Sequence, residues 1–597
     1  MSRLLVGLLM VAYCLPAAYV TLWPDTVRDL AASLSLARGE AIALVGPPIN
    51  FGPYAGPAWI WLQAPPLVFF PTFVATSIYV AFVASLKFPA LYVLGRRLSG
   101  PRLGGCMAVA AAFPSFFVYQ WIMFFHPNWV EVMVVATLIL FLVADQRRSV
   151  AMTYVAVAML GLAVQIHTTT VFYFPFAAVV LYRIGVRGPK IAAHLIAMLI
   201  LVALWFTPVL FAPPQERGVL GKATERIAQD LSHFDLGAVA VALESAFVRF
   251  PIVIGESYGR AGHVPAWLWI GGMCIVGLAI AVGAVLRLAT SKGRLWFVAA
   301  VALLLAAWTI AVAVRSYTSF YLVYFLLPLT AVVLGLSLES AASARWPLVR
   351  AMGAAALVLL VLSLVATAYG ARSIGRSGII DSRILAMGNL AHPVDATVRG
   401  TYFTVAARDA LAVEACAMQG SAITLHGELA YAALTSLGLD YRLHCPTSKG
   451  RFVVFGTGPG DHLAALPESI VPMLAITQGS PARGMRLLRS VRAIHPTEAR
   501  GFAKVFDYVE PLRDRGPMQR VALDFETRPD ELVAVYRHKP YDSAWTGFSV
   551  RKDAVAATPV FTTFDSWIYQ AGDRGGHWKV EFETDAPQWV EVIVIPR

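Results

Sequence analysis

Charged residues are scarce in this chain, and their scarcity restricts the class of protein. Only 14% of the 597 residues are Asp, Glu, Lys or Arg, whereas 58% are hydrophobic; soluble domains average about 25% charged residues. With a mean hydropathy of +0.65, this composition excludes an ordinary soluble protein and indicates a polytopic α-helical membrane protein. The net charge of +12 does not indicate nucleic acid binding, because the relevant basic residues lie in short loops between apolar runs.

Cysteine is equally rare, with five residues. Cys14, Cys106 and Cys274 fall inside predicted spans, where they are most simply packing residues. Cys416 and Cys445 share a predicted soluble region, where a disulfide and two buried free thiols are the alternatives. The chain also lacks internal repeats, low-complexity segments and the ligand spacings of zinc or EF-hand sites. No motif therefore predicts a metal site.

About eleven apolar runs are long enough to span a bilayer. Alternate loops carry the basic residues, which the positive-inside rule assigns to the cytoplasm. The remaining loops then face outward, among them a loop with interfacial helices at 24–70 and a long loop at 213–265. The first run lacks a small-residue cleavage site, which indicates a retained anchor. The runs are 4–23, 73–95, 104–124, 129–145, 150–166, 169–185, 191–212, 266–286, 295–314, 318–338 and 350–370.

The chain divides into a transmembrane domain, 1–371, and an extracytoplasmic soluble domain, 372–597, which is large enough for its own core. Helix-like and strand-like runs alternate between 405 and 455, which predicts an α/β unit. Period-two alternation at His577–Thr584 and Trp589–Ile595 predicts a β-sandwich-like end. The aromatic residues of this end could stack on sugars, but a packing role is favoured; they are Trp545, Trp567, Tyr569, Trp578 and Trp589.

The segment Pro24–Glu40 (PDTVRDLAASLSLARGE) directly follows the first apolar run. A helix beginning near Asp25 places Arg28 and Asp29 on the same face as Asp25, at i+3 and i+4. An apolar stripe on this helix predicts that it lies flat on the bilayer with its acids exposed; the stripe comprises Val27, Leu30, Ala31 and Leu34. The alternative is that Asp25 only caps the helix and Asp29 complements its dipole.

Ionisable residues are concentrated in the outer loops rather than in the spans. Transporters typically hold charged residues near the bilayer midplane, and this chain has few. Lys87 is an exception within a predicted span, and we expect it to snorkel towards Arg96. Chemistry at one membrane surface above a wide apolar body suits a substrate with a lipid tail and a polar head, such as a lipid-linked sugar.

Several short motifs carry a family resemblance over roughly residues 1–340. They are an acid after the first span, GEAIALVGPPINFGPYAGPAWIWLQAPPL, a span ending GRRLSG, then FFHPNW and QIHTTT at outer span ends. In this order the set resembles the GT-C superfamily of polyprenyl-phosphate-sugar glycosyltransferases, among them bacterial protein-mannosyltransferase-like members and the lipid A aminoarabinose transferase. The chain departs from the pattern in two places. Thr26, not an acid, follows Asp25, and Gln63 and Ala64 stand where some members have a basic residue before paired prolines.

The resemblance implies an inverting transfer from a polyprenyl-phosphate sugar donor, with Asp25 as the base and Asp29 as the second choice. It further implies that Arg315 and Arg28 contact the lipid phosphate, although Arg315 could instead be an interfacial anchor beside Tyr317 and Tyr321.

Four further residues are candidate substrate contacts: Tyr321, Glu256 as an acceptor-orienting acid, and His126 and His167 at family-like positions. A lone interfacial His is, however, more often a packing residue than a ligand. No cofactor is firmly implied, although a divalent cation held by Asp25 and Asp29 is an alternative.

The implied setting is the bacterial inner membrane, with the active site and the soluble domain facing the periplasm. The expected partners are the lipid-linked donor, membrane lipids and a lipid, glycan or protein acceptor, with no nucleic acid. Two other classes of function remain open: a flippase or transporter for lipid-linked glycans, and a non-catalytic membrane scaffold.

Overall fold

The computed structural model describes the following residues: 3–20, 24–39, 42–46, 55–70, 72–117, 121, 126–212, 236–313, 324–376, 500–501, 519–529, 532–537, 545–559, 561–562, 566–584 and 590–595. The region before residue 377 is helical, and the described strands all follow residue 499. The predicted α/β unit, Cys416 and Cys445 lie outside the described residues, as do Arg315 and Tyr321.

Seventeen α-helices can be numbered in chain order within the described part. The first nine are α1 Arg3–Cys14, α2 Pro24–Ala37, α3 Ala58–Phe69, α4 Phe73–Ser85, α5 Lys87–Ser99, α6 Pro101–Ala110, α7 Val130–Arg147, α8 Val150–Ile166 and α9 Pro175–Arg183. The others are α10 Pro189–Leu204, α11 Thr207–Leu210, α12 Leu236–Glu244, α13 Phe250–Ile254, α14 Ala266–Ala289, α15 Ser291–Ala313, α16 Leu327–Ala342 and α17 Pro347–Arg376. Short 3₁₀ turns at His126–Trp129 and Thr168–Tyr173 adjoin α7 and α9.

Six helical stretches of the described part are long and apolar enough to cross a membrane, which confirms a polytopic helical protein. They are Val74–Ser99, His126–Arg147, Gly237–Gly259, Ala266–Ala289, Tyr324–Ala342 and Pro347–Ser373. Five of the six coincide with predicted spans. Four other predicted spans correspond to shorter apolar helices at Leu4–Tyr19, Val150–Ile166, Pro189–Leu204 and Phe297–Thr309. The total of about eleven spans stays a prediction.

The sixth stretch, Gly237–Gly259, lies in the region that the sequence analysis assigns to a long outer loop. It consists of α12 and α13, joined and followed by π-helical turns at Ser245–Arg249 and Gly255–Gly259. Two of its charged side chains pair with each other, since Arg249 Nε lies 2.8 Å from Glu244 Oε1. The segment packs against α14, where Trp269 Nε1 donates to the Pro251 carbonyl at 2.8 Å.

Close helix packing in the membrane part relies on glycine at a few crossings. A Cβ on Gly95 of α5 would lie 2.7 Å from the Gly104 Cα of α6, which is closer than real contacts allow. The α6 residues that follow, Met107 to Ala110, are completely buried. Because α6 is enclosed in this way, it forms the centre of the helical core.

Lys87 contradicts the prediction that it snorkels to the surface. Its side chain is 1% exposed, and Nζ lies 2.6 Å from Glu131 Oε2 of α7. Nζ also donates to the Phe116 carbonyl at 3.0 Å and lies 4.8 Å from the centroid of the Tyr13 ring. The helix breaks at Leu86 between α4 and α5, so Lys87 begins a new helix beside α7. The ammonium of Lys87 is buried because it pairs with the carboxylate of Glu131.

Within the described residues after 499, nine strands form two antiparallel sheets. One sheet has the order β1-β9-β3-β7-β6, and the other has the order β2-β8-β4-β5. The strands are β1 Arg500–Gly501, β2 Gln519–Thr527, β3 Leu532–Arg537, β4 Trp545–Lys552, β5 Val555–Ala556, β6 Phe561–Thr562, β7 Ser566–Gln570, β8 Gly576–Thr584 and β9 Val590–Ile595. The two strands predicted at the end of the chain are therefore present, to within a residue at each end.

One buried cluster joins the two sheets. Phe525, Trp578 and Val580 come from the four-stranded sheet, and Val533 and Tyr569 come from the five-stranded sheet. Trp578 Nε1 donates to Thr527 Oγ1 at 2.9 Å, and burial raises the pKa of the Tyr569 phenol. Trp578 and Tyr569 are 1% and 3% exposed, which supports packing rather than sugar stacking for these two aromatic residues.

Candidate active site

Helix α2 spans Pro24–Ala37, as its capping and apolar pattern predict. Its buried face carries Thr26, Asp29 and Ser33 at helical spacing, together with Leu30 and Leu34. This helix packs against α3, and Asp29 is only 1% exposed. The prediction of exposed acids is therefore wrong for Asp29, because α3 covers the face that it shares with the apolar stripe. The side chains of Asp25 and Arg28 are outside the described set.

One histidine, His126, lies next to Asp29, and a second, His167, stacks on the first. Asp29 Oδ2 is 3.8 Å from His126 Nδ1, and the His126 ring stacks on the His167 ring with centroids 5.6 Å apart and planes 23° apart. His167 Nδ1 is in turn 2.6 Å from Thr169 Oγ1. The two histidines are therefore neighbours, and His126 also lies beside a carboxylate, in contrast to the lone packing residues that the sequence alone suggests.

The end of α8 holds helix α3 next to Asp29, His126 and His167. The Ala58 amide at the start of α3 donates to Gln165 Oε1 at 3.0 Å, and Gln165 Nε2 donates to the Trp205 carbonyl. A Cβ on Gly56 would overlap the Gln165 side chain, so glycine is required for this close approach. Gln165 precedes His167 by two residues, and the GPAWIWLQ and QIHTTT motifs therefore meet here.

Ser33 connects α2 with α3. Its hydroxyl is 2.8 Å from the Asp29 carbonyl, 2.9 Å from Gln63 Oε1 and 3.3 Å from the Ile60 carbonyl. Gln63 is the residue that stands in place of a basic residue before the paired prolines. In this chain it is completely buried, and its amide faces α2. The sequence analysis missed Ser33 and the orientation of Gln63, because neither residue is ionisable.

A layer of aromatic residues supports the HPNW turn. The Trp59 ring lies edge-on to His126 with centroids 6.4 Å apart, and it also packs edge-on against Trp129 at 5.1 Å. Trp129 Nε1 donates to the Val80 carbonyl of α4 at 3.0 Å. Glu131, two residues further along, carries the ion pair with Lys87. Contacts of the HPNW turn and the start of α7 with α3, α4 and α5 thus fix the position of His126.

An apolar groove of about 650 Å³ lies along α1, between α4 and α17. Its lining is nearly all apolar, and one end carries Arg372 and Tyr19. Tyr19 ends the 3₁₀ turn Ala17–Tyr19 and stands five residues before α2. Its lining residues are Gly7, Met10, Val11, Cys14, Leu15, Ala18, Tyr19, Phe82 and Arg372.

The remaining candidate residues fall elsewhere. Glu256 is exposed on the π-helical turn Gly255–Gly259, which packs against α14 and α17; it is not part of the Asp29 group in the described part of the chain. Among the residues that were described, no set of three or more His, Cys, Asp or Glu side chains could hold a metal ion. The alternative of a cation between Asp25 and Asp29 stays a prediction.

Comparison with known proteins gives structural neighbours only. No family model matches the chain, and no curated protein matches it. ArnT from Cupriavidus metallidurans bound to undecaprenyl phosphate is similar with a TM-score of 0.45 and 12% identity, over 95% of this chain and 97% of that chain. Apo ArnT gives a TM-score of 0.42 and 15% identity, over 77% and 86% of the two chains.

Arabinosyltransferase EmbB from Mycobacterium smegmatis gives a TM-score of 0.32 and 10% identity, over 100% of this chain and 64% of that chain. At these scores and identities the likeness assigns neither a function nor residue roles to this chain.

Proposed function

We propose that this protein is a membrane glycosyltransferase. It would transfer a sugar from a polyprenyl-phosphate donor to an acceptor of the cell envelope, with inversion, at the extracytoplasmic surface of the inner membrane. The observation that carries the proposal is the convergence of four motifs, PDTVRD, GPAWIWLQ, FFHPNW and QIHTTT, on a buried carboxylate and two stacked histidines. A packing role alone does not account for an acid and two histidines gathered in one place.

Asp25 is the proposed base, and Asp29 has a different role. A general base must reach the proton that it removes, and Asp29 is almost completely buried beside His126. Asp25 lies one turn earlier on α2. We therefore assign proton removal to Asp25 and the positioning of His126 to Asp29. As the acceptor oxygen attacks the anomeric carbon, its proton passes to the carboxylate of Asp25.

The bond from the anomeric carbon to the phosphate oxygen breaks in the same step, and the electron pair leaves with the lipid phosphate. That growing negative charge needs cations or hydrogen-bond donors. Arg28 and Arg315 are the proposed partners, because guanidinium groups bind phosphate oxygens in pairs.

The groove along α1 supports a lipid-linked donor. Its α-helical part, from Gly7 to Cys14, spans about 10 Å at 1.5 Å per residue, and the lining continues to Tyr19, which gives room for isoprene units. Arg372 at one end of the groove would supply a positive charge to the phosphate of the donor. The lipid chain of the donor would therefore lie beside α1, with its head directed towards α2.

A flippase for lipid-linked glycans is the second candidate, and one observation favours it. The Lys87–Glu131 pair is a charged pair inside the membrane part, and such pairs often mark solute pathways. Each partner is, however, neutralised by the other, and Tyr13 and Phe116 surround the ammonium. This arrangement fits a structural tie better than a transport site.

Mass spectrometry of envelope glycans tests the proposal. A gene deletion should remove one sugar modification, and the wild-type gene should restore it. Asp25→Asn should lower the amount of product at least about 100-fold, since general base catalysis contributes that much, at an unchanged protein level in the membrane. Glu244→Gln is the matched control, because Glu244 is an exposed acid on α12, and it should restore full modification. A glycan profile that deletion leaves unchanged would reject the proposal.

A further inference from the structure

Three polar atoms near Asp29 are buried without a hydrogen-bond partner in the described structure. They are Thr26 Oγ1, Trp59 Nε1 and Gln63 Nε2, and all three residues are 0% exposed. Buried polar groups in native proteins are nearly always paired, so three such groups in one place need an explanation. A ligand that completes their hydrogen bonds provides one.

The three groups border a single seam between α2 and α3. Thr26, Asp29 and Ser33 follow one another on the buried face of α2. Trp59 and Gln63 are one turn apart on α3, and Gln63 Oε1 lies 2.9 Å from Ser33 Oγ. Trp59 in turn contacts His126. Trp59 and Gln63 therefore lie beside the Asp29–His126 pair, and Thr26 lies one turn before Asp29 on the same buried face of α2.

The chemistry of these groups restricts what they can bind. The Trp59 indole N–H is a donor only, and Gln63 Nε2 is a donor because the amide oxygen is turned to Ser33. An ammonium group, which has no acceptor, cannot satisfy them. A second anion would be repelled by the buried carboxylate of Asp29 in a medium of low dielectric constant. Hydroxyl groups offer acceptor oxygens without a charge, and they also donate to Thr26 or Asp29.

We infer that the seam between α2 and α3 binds hydroxyl groups of the transferred sugar, and that this edge of the sugar bears neither an amino group nor a carboxylate. The inference rests on the proposed function and specifies its substrate class. Because the three polar atoms are sealed from solvent here, binding has to widen the seam between the two helices.

Thr26→Val gives the sharpest test, because it removes the unpaired hydroxyl and keeps the shape of the side chain. If the hydroxyl serves a ligand, the unliganded variant should unfold at a higher temperature than the wild type, since a buried unsatisfied group is lost. The same variant should bind a hydroxylated donor about 3- to 10-fold more weakly. A hydroxyl with a structural role would give the reverse, with lower thermal stability and unchanged donor affinity, and that result would overturn the inference.

The probes are short-chain polyprenyl phosphates carrying glucose, arabinose, 4-amino-4-deoxyarabinose or glucuronic acid, with affinity measured on the full-length protein in nanodiscs. The wild type should bind a hydroxylated donor at least about tenfold more tightly than the amino and carboxylate donors. Gln63→Glu should weaken binding of the hydroxylated donor and improve binding of the amino donor. Gln146→Glu is the matched control on an exposed glutamine that contacts Arg97, and it should leave all affinities unchanged.

Two failures are distinguishable. Equal binding of the amino donor and the hydroxylated donors by the wild type would overturn the sugar assignment while leaving the glycosyltransferase proposal intact. Binding of none of the four donors, together with an unchanged envelope glycan profile after gene deletion, would reject both.

Discussion

Removal of one partner from the Lys87–Glu131 pair should destabilise the membrane part strongly. Glu131→Gln keeps the size of the side chain but leaves the Lys87 ammonium, 1% exposed, with the Phe116 carbonyl at 3.0 Å as its described hydrogen-bond acceptor. Breaking a buried pair in this way costs about 3–5 kcal/mol, because the remaining charge is uncompensated. Replacing both residues by apolar ones, as in Lys87→Met with Glu131→Leu, should recover most of that loss.

The assay is thermal unfolding of the purified protein in detergent, followed by tryptophan fluorescence, for both single variants and the double variant. Asp145→Asn provides the control, since the Arg183–Asp145 pair at 2.8 Å is partly exposed and surface pairs contribute only about 0–1 kcal/mol. The reasoning predicts a double variant more stable than either single variant. Additive losses in the double variant, or a loss for Glu131→Gln no larger than that for Asp145→Asn, would refute it.

Three more substitutions probe other parts of the molecule. Gly56→Ala should displace the Gln165 amide, which should lower both the donor affinity and the stability, the latter by about 1–3 kcal/mol. Binding and unfolding measurements check this. Unchanged donor affinity would contradict a link between Gln165 and the site. Trp578→Phe leaves Thr527 Oγ1 without its donor and should make the strand region easier to cleave in limited proteolysis; equal cleavage rates would count against that bond. Arg372→Gln should raise the KM for the donor with little change in kcat, whereas a fall in kcat alone would exclude a role in lipid binding.

Local patterns predicted the elements whose determinants are local. Helix α2 begins at Pro24, one residue from the predicted position, because a proline, an early aspartate and an apolar stripe within a few turns determine its start. Strand β8 occupies Gly576–Thr584, where alternating Trp578, Val580 and Phe582 require one buried face. In both cases a window of about ten residues contains the necessary information.

The burial of Asp29 was not predictable from such a window. The groups that cover it belong to α3 and to the HPNW turn, and His126 is almost a hundred residues away in sequence. The Lys87–Glu131 pair likewise joins residues separated by 44 positions. Hydropathy treats each charge as isolated, so it assigns Lys87 to the surface. In the folded protein the ion pair with Glu131 offsets part of the cost of burying the charge.

The roles assigned to Asp25, Arg28 and Arg315 remain predictions from the motif resemblance. Gln63 shows how the sequence can mislead in the opposite direction. By comparison with the family pattern, Gln63 stands where some members have a cation. In the fold it is a buried amide bonded to Ser33, beside an indole and a hydroxyl that need partners. The proposed choice of substrate depends on the packing of α2 against α3, which no local window of sequence contains.

The most direct test of the proposed function follows a labelled sugar. Purified protein in proteoliposomes is supplied with a polyprenyl phosphate carrying a radiolabelled sugar, together with envelope extract from the deletion strain as the acceptor source. We expect the label to leave the donor and become covalently attached to an envelope component, and we expect Asp25→Asn to abolish this transfer. Label that crosses the bilayer still attached to its lipid, with no covalent product in wild type or variant, would contradict a glycosyltransferase.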